Sequence, residues 1–289
     1  MRVLLIGAKG QVGWELQRSL APWTDLIAVD FPEIDLARPD TIRHWLDRAQ
    51  PGAIINAAAY TAVDQAESDL DRATAINAIA PGLLAEEARL RGAWLVHYST
   101  DYVFPGTTTR PYAESDPAGP VNHYGHSKLA GDLAVQAANG RHLIFRLCWV
   151  YGLRGRNFLL TLQRLAREQE RLRVVHDQFG SPTWCRPIAD ATALALHTAT
   201  NSPDPDAFSG LYHLACSSHT SWHGFAEAIV ARLPESERRC LAVDPIPSAE
   251  YPTPARRPAW SVLDCTKLHR TFGLRLPPWD HTLALALER

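Results

Sequence analysis

Tyr124 and Lys128, in the segment YGHSK, could together exchange a proton with a bound substrate. On a helix, side chains four positions apart share one face, so the phenol and the ammonium would lie side by side. A cation beside a phenol favours the phenolate and lowers the tyrosine pKa from about 10, which suits proton transfer near neutral pH. The same spacing also occurs on ordinary solvated helix faces, so the surrounding elements must decide between a catalytic pair and surface residues.

The stretch HYSTDYVFPG carries three further polar side chains, Ser99, Thr100 and Asp101, where a buried strand is expected to end. Its approach, AWLVHY, is apolar, and the YGHSK segment opens the next helix along the chain. Ligands of open α/β sheets bind at the carboxyl ends of the strands, so we expect these groups to meet Tyr124 and Lys128 there. A ketone that accepts hydride develops negative charge on its oxygen, which a phenol and a hydroxyl would stabilise.

The segment GAKGQVG follows the first apolar run and opens a helix, with Gly7, Gly10 and Gly13 at GxxGxxG spacing. Glycines there allow a tight turn and the close approach of a pyrophosphate to backbone N–H groups, which predicts a dinucleotide site. Asp30, at the end of the second run, could bind the adenosine ribose hydroxyls, or it could cap a helix or turn. No Arg or Lys follows it before Arg38, so NADH should be usable and an exclusive NADPH enzyme is less expected.

Apolar runs of strand length alternate with helical patterns in the first half of the chain. Strands are predicted at residues 2–7, 25–30, 53–59, 93–99 and 142–152, and helices at 11–21, 40–50, 72–91 and 124–139. Continuous apolar strands between amphipathic helices predict a parallel sheet covered on both faces. The expected fold class is therefore α/β, a Rossmann-type doubly wound parallel sheet with a smaller C-terminal substrate-binding lobe.

The pattern loosens after Gly152. Helices are predicted at 158–170, 188–200 and 222–233 and a strand at 173–177, whereas the prolines of segment 245–260 forbid regular structure. We expect an NAD(P)-binding Rossmann domain at 1–152 and a substrate-binding lobe at 153–289. The two would be interleaved, because helix 188–200 is expected to return to the sheet.

Composition narrows the class of ligand. The chain has 289 residues and a formal charge of −2, so no basic excess indicates a nucleic-acid or membrane surface. Its five cysteines form no CxxC pair, its histidines form no HExxH motif, and no metal site is expected. No apolar run approaches the roughly 18 residues of a membrane span, and no leader precedes the first strand pattern. We therefore expect a cytoplasmic protein that binds small molecules.

Several segments together resemble the dTDP-4-dehydrorhamnose reductases of the extended short-chain dehydrogenase/reductase superfamily, from residue 2 to about residue 288. They are GAKGQVG, INAAAYTAVDQAES, HYSTDYVFPG, PVNHYGHSKLAGD, LIFRLCWVYG, DQFGSPT and YPTPARRPAWS. The resemblance implies an NADPH- or NADH-dependent enzyme that reduces dTDP-4-dehydro-6-deoxy-L-mannose to dTDP-L-rhamnose, the last step of dTDP-rhamnose biosynthesis. It also implies that Thr100 binds the keto oxygen, that Tyr124 protonates it, and that Lys128 binds the nicotinamide ribose and lowers the Tyr124 pKa.

The resemblance carries further cofactor contacts onto this sequence. Besides the glycine turn, Asp30, Tyr124 and Lys128, they are Gln11, Val12, Asp35, Leu36, Ala59, Tyr60, Thr61 and Tyr98. Tyr60 stands where a histidine often occurs, so only its backbone contact is carried over. Asn77 resembles the superfamily's active-site asparagine, although it could equally be an ordinary polar helix residue.

Substrate contacts are expected from the strand end and from the second lobe. Asp101 would touch the substrate or order its turn, and Trp149 would contact the sugar or belong to the core. Guanidinium groups suit a diphosphate, and each candidate could otherwise form a surface salt bridge. The candidate arginines are Arg154, Arg156, Arg256 and Arg257.

Two alternatives to the reductase remain open at the level of sequence. Another nucleotide-sugar reductase or an epimerase could use the same three side chains, but an epimerase recycles its nicotinamide, so net cofactor oxidation separates the two. Relatives also include a non-catalytic regulatory subunit that binds the dinucleotide and a partner enzyme. The intact set of Thr100, Tyr124 and Lys128 argues against this regulatory role.

Some relatives form a dimer bridged by magnesium through glutamates at the positions of Glu15, Arg186 and Glu288. Arginine cannot ligate a cation and would repel it, so we expect no metal-bridged homodimer here. The measurement is a structure of the protein crystallised with magnesium. A divalent cation bound between subunits at Glu15 and Glu288 would contradict the prediction.

Overall fold

The computed structural model describes residues 1–288; Arg289, the last residue of the predicted second lobe, lies outside the described residues. The strands are β1 (Arg2–Ile6), β2 (Asp25–Val29), β3 (Ala53–Asn56), β4 (Trp94–Thr100), β5 (His142–Leu147), β6 (Val150–Tyr151), β7 (Arg171–Val175), β8 (Phe179–Gly180), β9 (Thr183–Trp184), β10 (Gly210–His213), β11 (Thr220–Ser221) and β12 (Ala242–Ile246). The helices are α1 (Gln11–Leu20), α2 (Pro39–Ala49), α3 (Leu70–Thr74), α4 (Ala80–Leu90), α5 (His123–Ala137), α6 (Phe158–Glu168), α7 (Cys185–Asn201), α8 (Trp222–Ala231), α9 (Thr266–Phe272) and α10 (Trp279–Leu287).

A parallel sheet forms the centre of the molecule, with its strands in the order β10-β5-β4-β3-β1-β2. Every pairing in it is parallel. Strands β3 and β4 are buried along their whole length, as the continuous apolar runs predicted. The order reverses between β1 and β3, and the crevice outside such a reversal is where doubly wound sheets bind ligands. The predicted fold class is confirmed.

Helices cover both faces of the sheet because successive side chains of β1 point in opposite directions. On one face Val3 and Leu5 pack in a core with α1 and α7, which contribute Leu16 and Ile188 among others. On the other face, α2, α4 and α5 pack on the alternate residues of the same strands. A π-helical turn, Ala75–Ile79, joins α3 to α4. The two apolar faces hold the carboxyl edge of the sheet in a fixed position.

Helix α7 lies against α1, although it follows the second-lobe strands in the chain. The Ser19 hydroxyl donates to Asp190 at 2.6 Å. Arg186 approaches Glu15 at 3.4 Å, so this carboxylate is paired with a cation inside one chain. The domain limits at 152 and 153 and the missing metal bridge stay predictions.

The second lobe has a separate apolar core, built around α6, α8 and the strand pair β7–β12. Tyr151, Leu159, Phe225 and Ile229 lie in this core. Helix α10 completes it, contributing Leu283 among its buried residues. This lobe packs beside the carboxyl edge of the sheet, where it can contribute side chains to a shared cavity.

Among the differences from the sequence predictions, three concern strands and have a physical cause. Strand β10 was missed, because GLYH is short and stands in a Pro- and Ser-rich region. The strand predicted at 142–152 is interrupted, because Trp149 has a φ of +44° and separates β5 from β6. Pro245 lies in β12 despite the expectation that segment 245–260 is irregular. Strand β12 pairs only with β7, and an edge strand tolerates a residue without an N–H.

Within residues 1–288, no helix is long and apolar enough to cross a membrane.

Candidate active site

A cavity of about 890 Å³ opens at the carboxyl edge of the sheet, next to the second lobe. Most of the residues predicted to bind cofactor or substrate line it. They are Gly7, Gly10, Gln11, Val12, Asp30, Asp35, Leu36, Ala59, Thr61, Tyr98, Thr100, Asp101, Tyr124, Lys128, Trp149 and Arg156. The predicted residues that do not line it are Gly13, Tyr60, Asn77, Arg154, Arg256 and Arg257. Two motifs far apart in the chain therefore share one space.

The glycine turn is shaped by close backbone contacts. Gly7 has a φ of +86°, and a Cβ there would lie 2.6 Å from the backbone nitrogen of Ala58. A Cβ on Gly13 would lie 2.0 Å from the Gly7 carbonyl oxygen, so Gly13 serves helix–strand packing. Gly10 is the N-cap of α1, where the first helical N–H groups lack partners within the helix. Without a side chain at Gly10, these donors are open to an anion, which fits the pyrophosphate of a dinucleotide.

Asp30 orders the opposite side of this turn. Its carboxylate accepts hydrogen bonds from the backbone N–H groups of Lys9 and Phe31, both at 2.7 Å. The Lys9 ammonium lies 3.4 Å from the Phe31 carbonyl oxygen and also lines the cavity. The sequence prediction considered only the residues that follow Asp30, so it missed Lys9, which lies inside GAKGQVG. This part of the cavity thus presents a carboxylate and an ammonium.

Asn77 clamps the segment that follows β3. Its side-chain oxygen accepts from the Tyr60 N–H at 2.9 Å, and its amide nitrogen donates to the Tyr60 carbonyl at 3.0 Å. The same amide nitrogen donates to Ser127 on α5. The Tyr60 phenol donates to Asp69, away from the cavity. Asn77 therefore fixes the backbone whose neighbours Ala59 and Thr61 line the cavity.

Helix α5 brings Tyr124 and Lys128 to the end of β4. Asn122 caps the helix by accepting from the Gly125 N–H at 2.8 Å. Lys128 is buried, and its ammonium donates to the Tyr98 carbonyl at 2.6 Å and lies 3.3 Å from His97 Nε2. Residues of β4 thus fix the position of the Lys128 ammonium. The buried His97 beside it was not singled out from the sequence.

Burial sets the protonation of this pair. It raises the pKa of Tyr124, a rise that the nearby Thr100 hydroxyl opposes and to which the charges of Asp101 and Asp132 add. It lowers the pKa of Lys128 to about 8, against the opposing charge of Asp132. Lys128 is not among the groups that shift the Tyr124 pKa here, so the predicted lowering of that pKa by Lys128 stays a prediction. Desolvation, which disfavours the charged phenolate, accounts for the raised pKa of Tyr124.

Thr100 and Asp101 form a compact turn at the end of β4. The Thr100 hydroxyl donates to Asp101 Oδ1 at 3.0 Å and accepts from the Tyr102 N–H at 3.1 Å. Burial raises the pKa of Asp101 to about 6, while hydrogen bonds from Ser261, Cys148 and Thr100 oppose the rise. Asp101 thus orders the turn through the hydroxyl that is expected to meet the substrate.

Ser99 belongs to a different buried group. Burial raises the pKa of Asp132, and the charge of Arg146 and the hydroxyl of Ser99 oppose this rise. Arg146 and Asp132 form an ion pair at 3.0 Å, with both side chains almost fully buried. Ser99 also lines the cavity, so this strand end adjoins both the cavity and the buried ion pair.

Trp149, which follows β5, and residues of the second lobe form an aromatic wall of the cavity. The rings of Trp149 and Trp222 are stacked, with centroids 3.5 Å apart and planes inclined by 6°. A Cβ on Gly180 would lie 2.4 Å from the Trp149 ring, so a larger residue would displace it. Phe158 and Phe225 continue the wall. Trp149 was predicted from the sequence, whereas Trp222, Phe158 and Phe225 were not, because they come from α6 and α8 and no local pattern marks them.

The four candidate arginines have different surroundings. Arg156 lines the cavity. Arg154 lies over the Trp14 ring, 3.6 Å from its centroid. Arg257 pairs with Asp64 at 2.9 Å, and Arg256 is exposed. Of these four guanidinium groups, that of Arg156 lines the cavity, and the roles of all four arginines stay predictions.

Within residues 1–288, no three or more His, Cys, Asp or Glu side chains come together in a way that could hold a metal ion.

Known proteins resemble this chain over its whole length. The RmlD substrate binding domain family model matches residues 1–289. A dTDP-4-dehydrorhamnose reductase of Burkholderia thailandensis is 50% identical, covering 100% of this chain and 98% of its own length. One of Escherichia coli K12 is 46% identical, over 97% of this chain and 95% of its own. The crystal structure of a Bacillus anthracis dTDP-4-dehydrorhamnose reductase in complex with NADP has a TM-score of 0.91 at 34% identity, covering 99% of this chain and 98% of that one.

The turn geometry yields a stability prediction. Gly13→Ala should lower the free energy of unfolding by about 1–3 kcal/mol, because the added methyl would collide with the Gly7 carbonyl. Gly119→Ala is the matched control, since its Cβ would lie 3.6 Å from Pro105, and its effect should stay within about 0.5 kcal/mol. Urea unfolding curves of both variants measure this. Equal stability of the two would contradict the packing role of Gly13.

Proposed function

Because this chain belongs to the family of dTDP-4-dehydrorhamnose reductases, we propose that it reduces the 4-keto group of dTDP-4-dehydro-6-deoxy-L-mannose to give dTDP-L-rhamnose, with NADPH or NADH as reductant. One observation carries the proposal. The glycine turn, Thr100, Tyr124 and Lys128 line one cavity at the carboxyl edge of the sheet. A reduction needs a hydride donor, a proton donor and a group that binds the ketone oxygen in a single space. The glycine turn would bind the cofactor that donates hydride, Tyr124 would donate the proton, and Thr100 would bind the oxygen.

The residues present fit a nicotinamide dinucleotide. The open N-terminus of α1 would bind its pyrophosphate, and Asp30 would bind or orient the adenosine ribose. Lys128 would bind the nicotinamide ribose with the one ammonium donor that Tyr98 and His97 leave free. When bound, the cofactor would supply the hydride. The related Bacillus anthracis structure, in complex with NADP, supports this assignment.

Tyr124 is the proposed proton donor. Because burial raises its pKa, the phenol keeps its proton at neutral pH, which is the form that a reduction requires. As hydride reaches the ketone carbon, negative charge grows on the ketone oxygen, and the phenol passes its proton to that oxygen. The bound ammonium of Lys128 would then stabilise the phenolate that remains. Thr100 would bind the same oxygen.

The second lobe is proposed to bind the nucleotide sugar. The Trp149 and Trp222 rings form a flat apolar wall suited to a sugar or base face. Arg156 is the first candidate for the diphosphate, since it already lines the cavity. Arg256 and Arg257 remain proposed substrate contacts, but Arg257 would first have to leave Asp64.

The test is cofactor oxidation, followed by nicotinamide absorbance, with purified protein and enzymatically generated dTDP-4-dehydro-6-deoxy-L-mannose. NADH and NADPH are compared in parallel. Stoichiometric oxidation with formation of dTDP-L-rhamnose is the expected result. Epimerised sugar without net oxidation would favour an epimerase, and cofactor binding without any turnover would favour a regulatory subunit, so either result would overturn the proposal.

Tyr124→Phe should reduce kcat by about 10²–10⁴-fold, because the phenol acts mainly in the transition state. Cofactor affinity should change little, as measured by nicotinamide fluorescence titration. Tyr212→Phe is the control, since it also removes a buried hydroxyl, one that donates to Phe208 outside the cavity. Near-normal turnover of Tyr124→Phe would rule out the assigned proton donor.

A further inference from the structure

The Thr100 hydroxyl has one proton, and the turn at the end of β4 already uses it. This proton is donated to Asp101 Oδ1 at 3.0 Å. One lone pair of the hydroxyl accepts from the Tyr102 N–H at 3.1 Å. A hydroxyl has one donor and two acceptor positions, so only a lone pair remains for the cavity. In this arrangement Thr100 can accept a hydrogen bond from a ligand but cannot donate one.

A ketone oxygen needs a hydrogen-bond donor rather than an acceptor. Its oxygen carries no hydrogen, and it gains negative charge during reduction, so it must be met by donors. The lone pair that Thr100 presents would repel it. Turning the Thr100 proton toward the ketone would leave an ionised Asp101 facing a lone pair at 3.0 Å, in a site where Asp101 is only 3% exposed. A buried carboxylate that loses its donor is costly, so this rotation is opposed.

A proton on Asp101 removes the conflict. The neutral acid can donate from Oδ1 to Thr100, whose own proton is then free to point into the cavity. Resting on the proposed reduction, we propose that Asp101 is a positioning residue that acts as a neutral acid, turning Thr100 into a hydrogen-bond donor to the substrate ketone. The proton on Asp101 is not transferred; Tyr124 still supplies the proton that enters the product.

The surroundings of Asp101 favour the neutral form. Asp101 Oδ2 is buried without a partner at hydrogen-bonding geometry, although the Ser261 hydroxyl and the Cys148 thiol lie near enough to lower the pKa. The titratable groups facing it are Tyr102 from its own turn, Tyr124 from α5 and Cys148 after β5. Burial outweighs the hydrogen bonds and raises the pKa of Asp101 to about 6. A bound diphosphate would raise it further, since like charges disfavour ionisation.

The first test is the pH dependence of kcat/KM, which reports ionisations of the free enzyme. For the natural protein, kcat/KM should fall by up to about tenfold per pH unit above a break near pH 6. Asp101→Asn should remove this break, because its amide donates to Thr100 at every pH. A variant that keeps the break of the natural protein would overturn the proposal, whatever its absolute rate.

Ser261→Ala tests the Asp101 carboxyl group and leaves the residues of its turn unchanged. The Ser261 hydroxyl lowers the pKa of Asp101, so its removal should move the break in kcat/KM to higher pH. Thr183→Ser is the control, because this buried hydroxyl donates to Ser181 and the exchange keeps it. The break in kcat/KM should stay at the same pH in Thr183→Ser. A break that does not move in Ser261→Ala would contradict the assignment to Asp101.

Proton uptake gives a readout that does not depend on turnover. The oxidised cofactor and the keto sugar form a dead-end complex, and calorimetry in buffers of different ionisation enthalpy counts the protons bound with it. At pH 7 the natural protein should take up close to one proton, and Asp101→Asn about one fewer. Equal uptake by both proteins would overturn the inference. If the natural protein oxidises no cofactor at any pH, the proposed function itself has failed, which is a separate outcome.

Discussion

The close contact between α5 and the strand end of β4 is the constraint on which the site depends. A Cβ on Gly131 would lie 2.1 Å from the Asn77 carbonyl oxygen, and one on Gly125 would lie 2.3 Å from the Tyr102 carbonyl oxygen. These glycines let the helix approach its neighbours without side chains between them. At this separation the Lys128 ammonium reaches the Tyr98 carbonyl at 2.6 Å. A helix held further away would leave the lysine without this acceptor.

The same close packing excludes water, and the resulting desolvation shifts the pKa values of the side chains in the site. It raises the pKa of Tyr124, lowers that of Lys128 to about 8, and raises that of Asp101 to about 6. All three shifts favour the neutral form of the group. At neutral pH Tyr124 therefore stays neutral, whereas a pKa of about 8 leaves Lys128 mainly protonated and a pKa of about 6 leaves Asp101 mainly ionised in the free protein.

The second lobe joins this edge through specific contacts rather than through a flexible connection. The Asn157 side chain donates to the Gln11 side chain at 2.8 Å and caps α6 by accepting from the Leu160 N–H. One residue thereby ties the start of a second-lobe helix to the glycine turn. Trp149, in its left-handed backbone conformation, fills the space between Gly180 and Trp222. The aromatic wall and the glycine turn therefore lie on opposite sides of the cavity.

The sequence by itself determined the features that depend on local pattern: the parallel strands, the glycine turn before α1 and the helix carrying Tyr124 and Lys128. Apolar runs and residue spacing follow from what each segment must bury, so they can be read without knowing its neighbours. Only the tertiary structure decided the direction of the Thr100 hydroxyl, the pairing of Arg257 with Asp64 and the raised pKa of Tyr124. Each of these depends on burial or on a partner brought close by the fold, and desolvation exists only once distant segments have closed over a group.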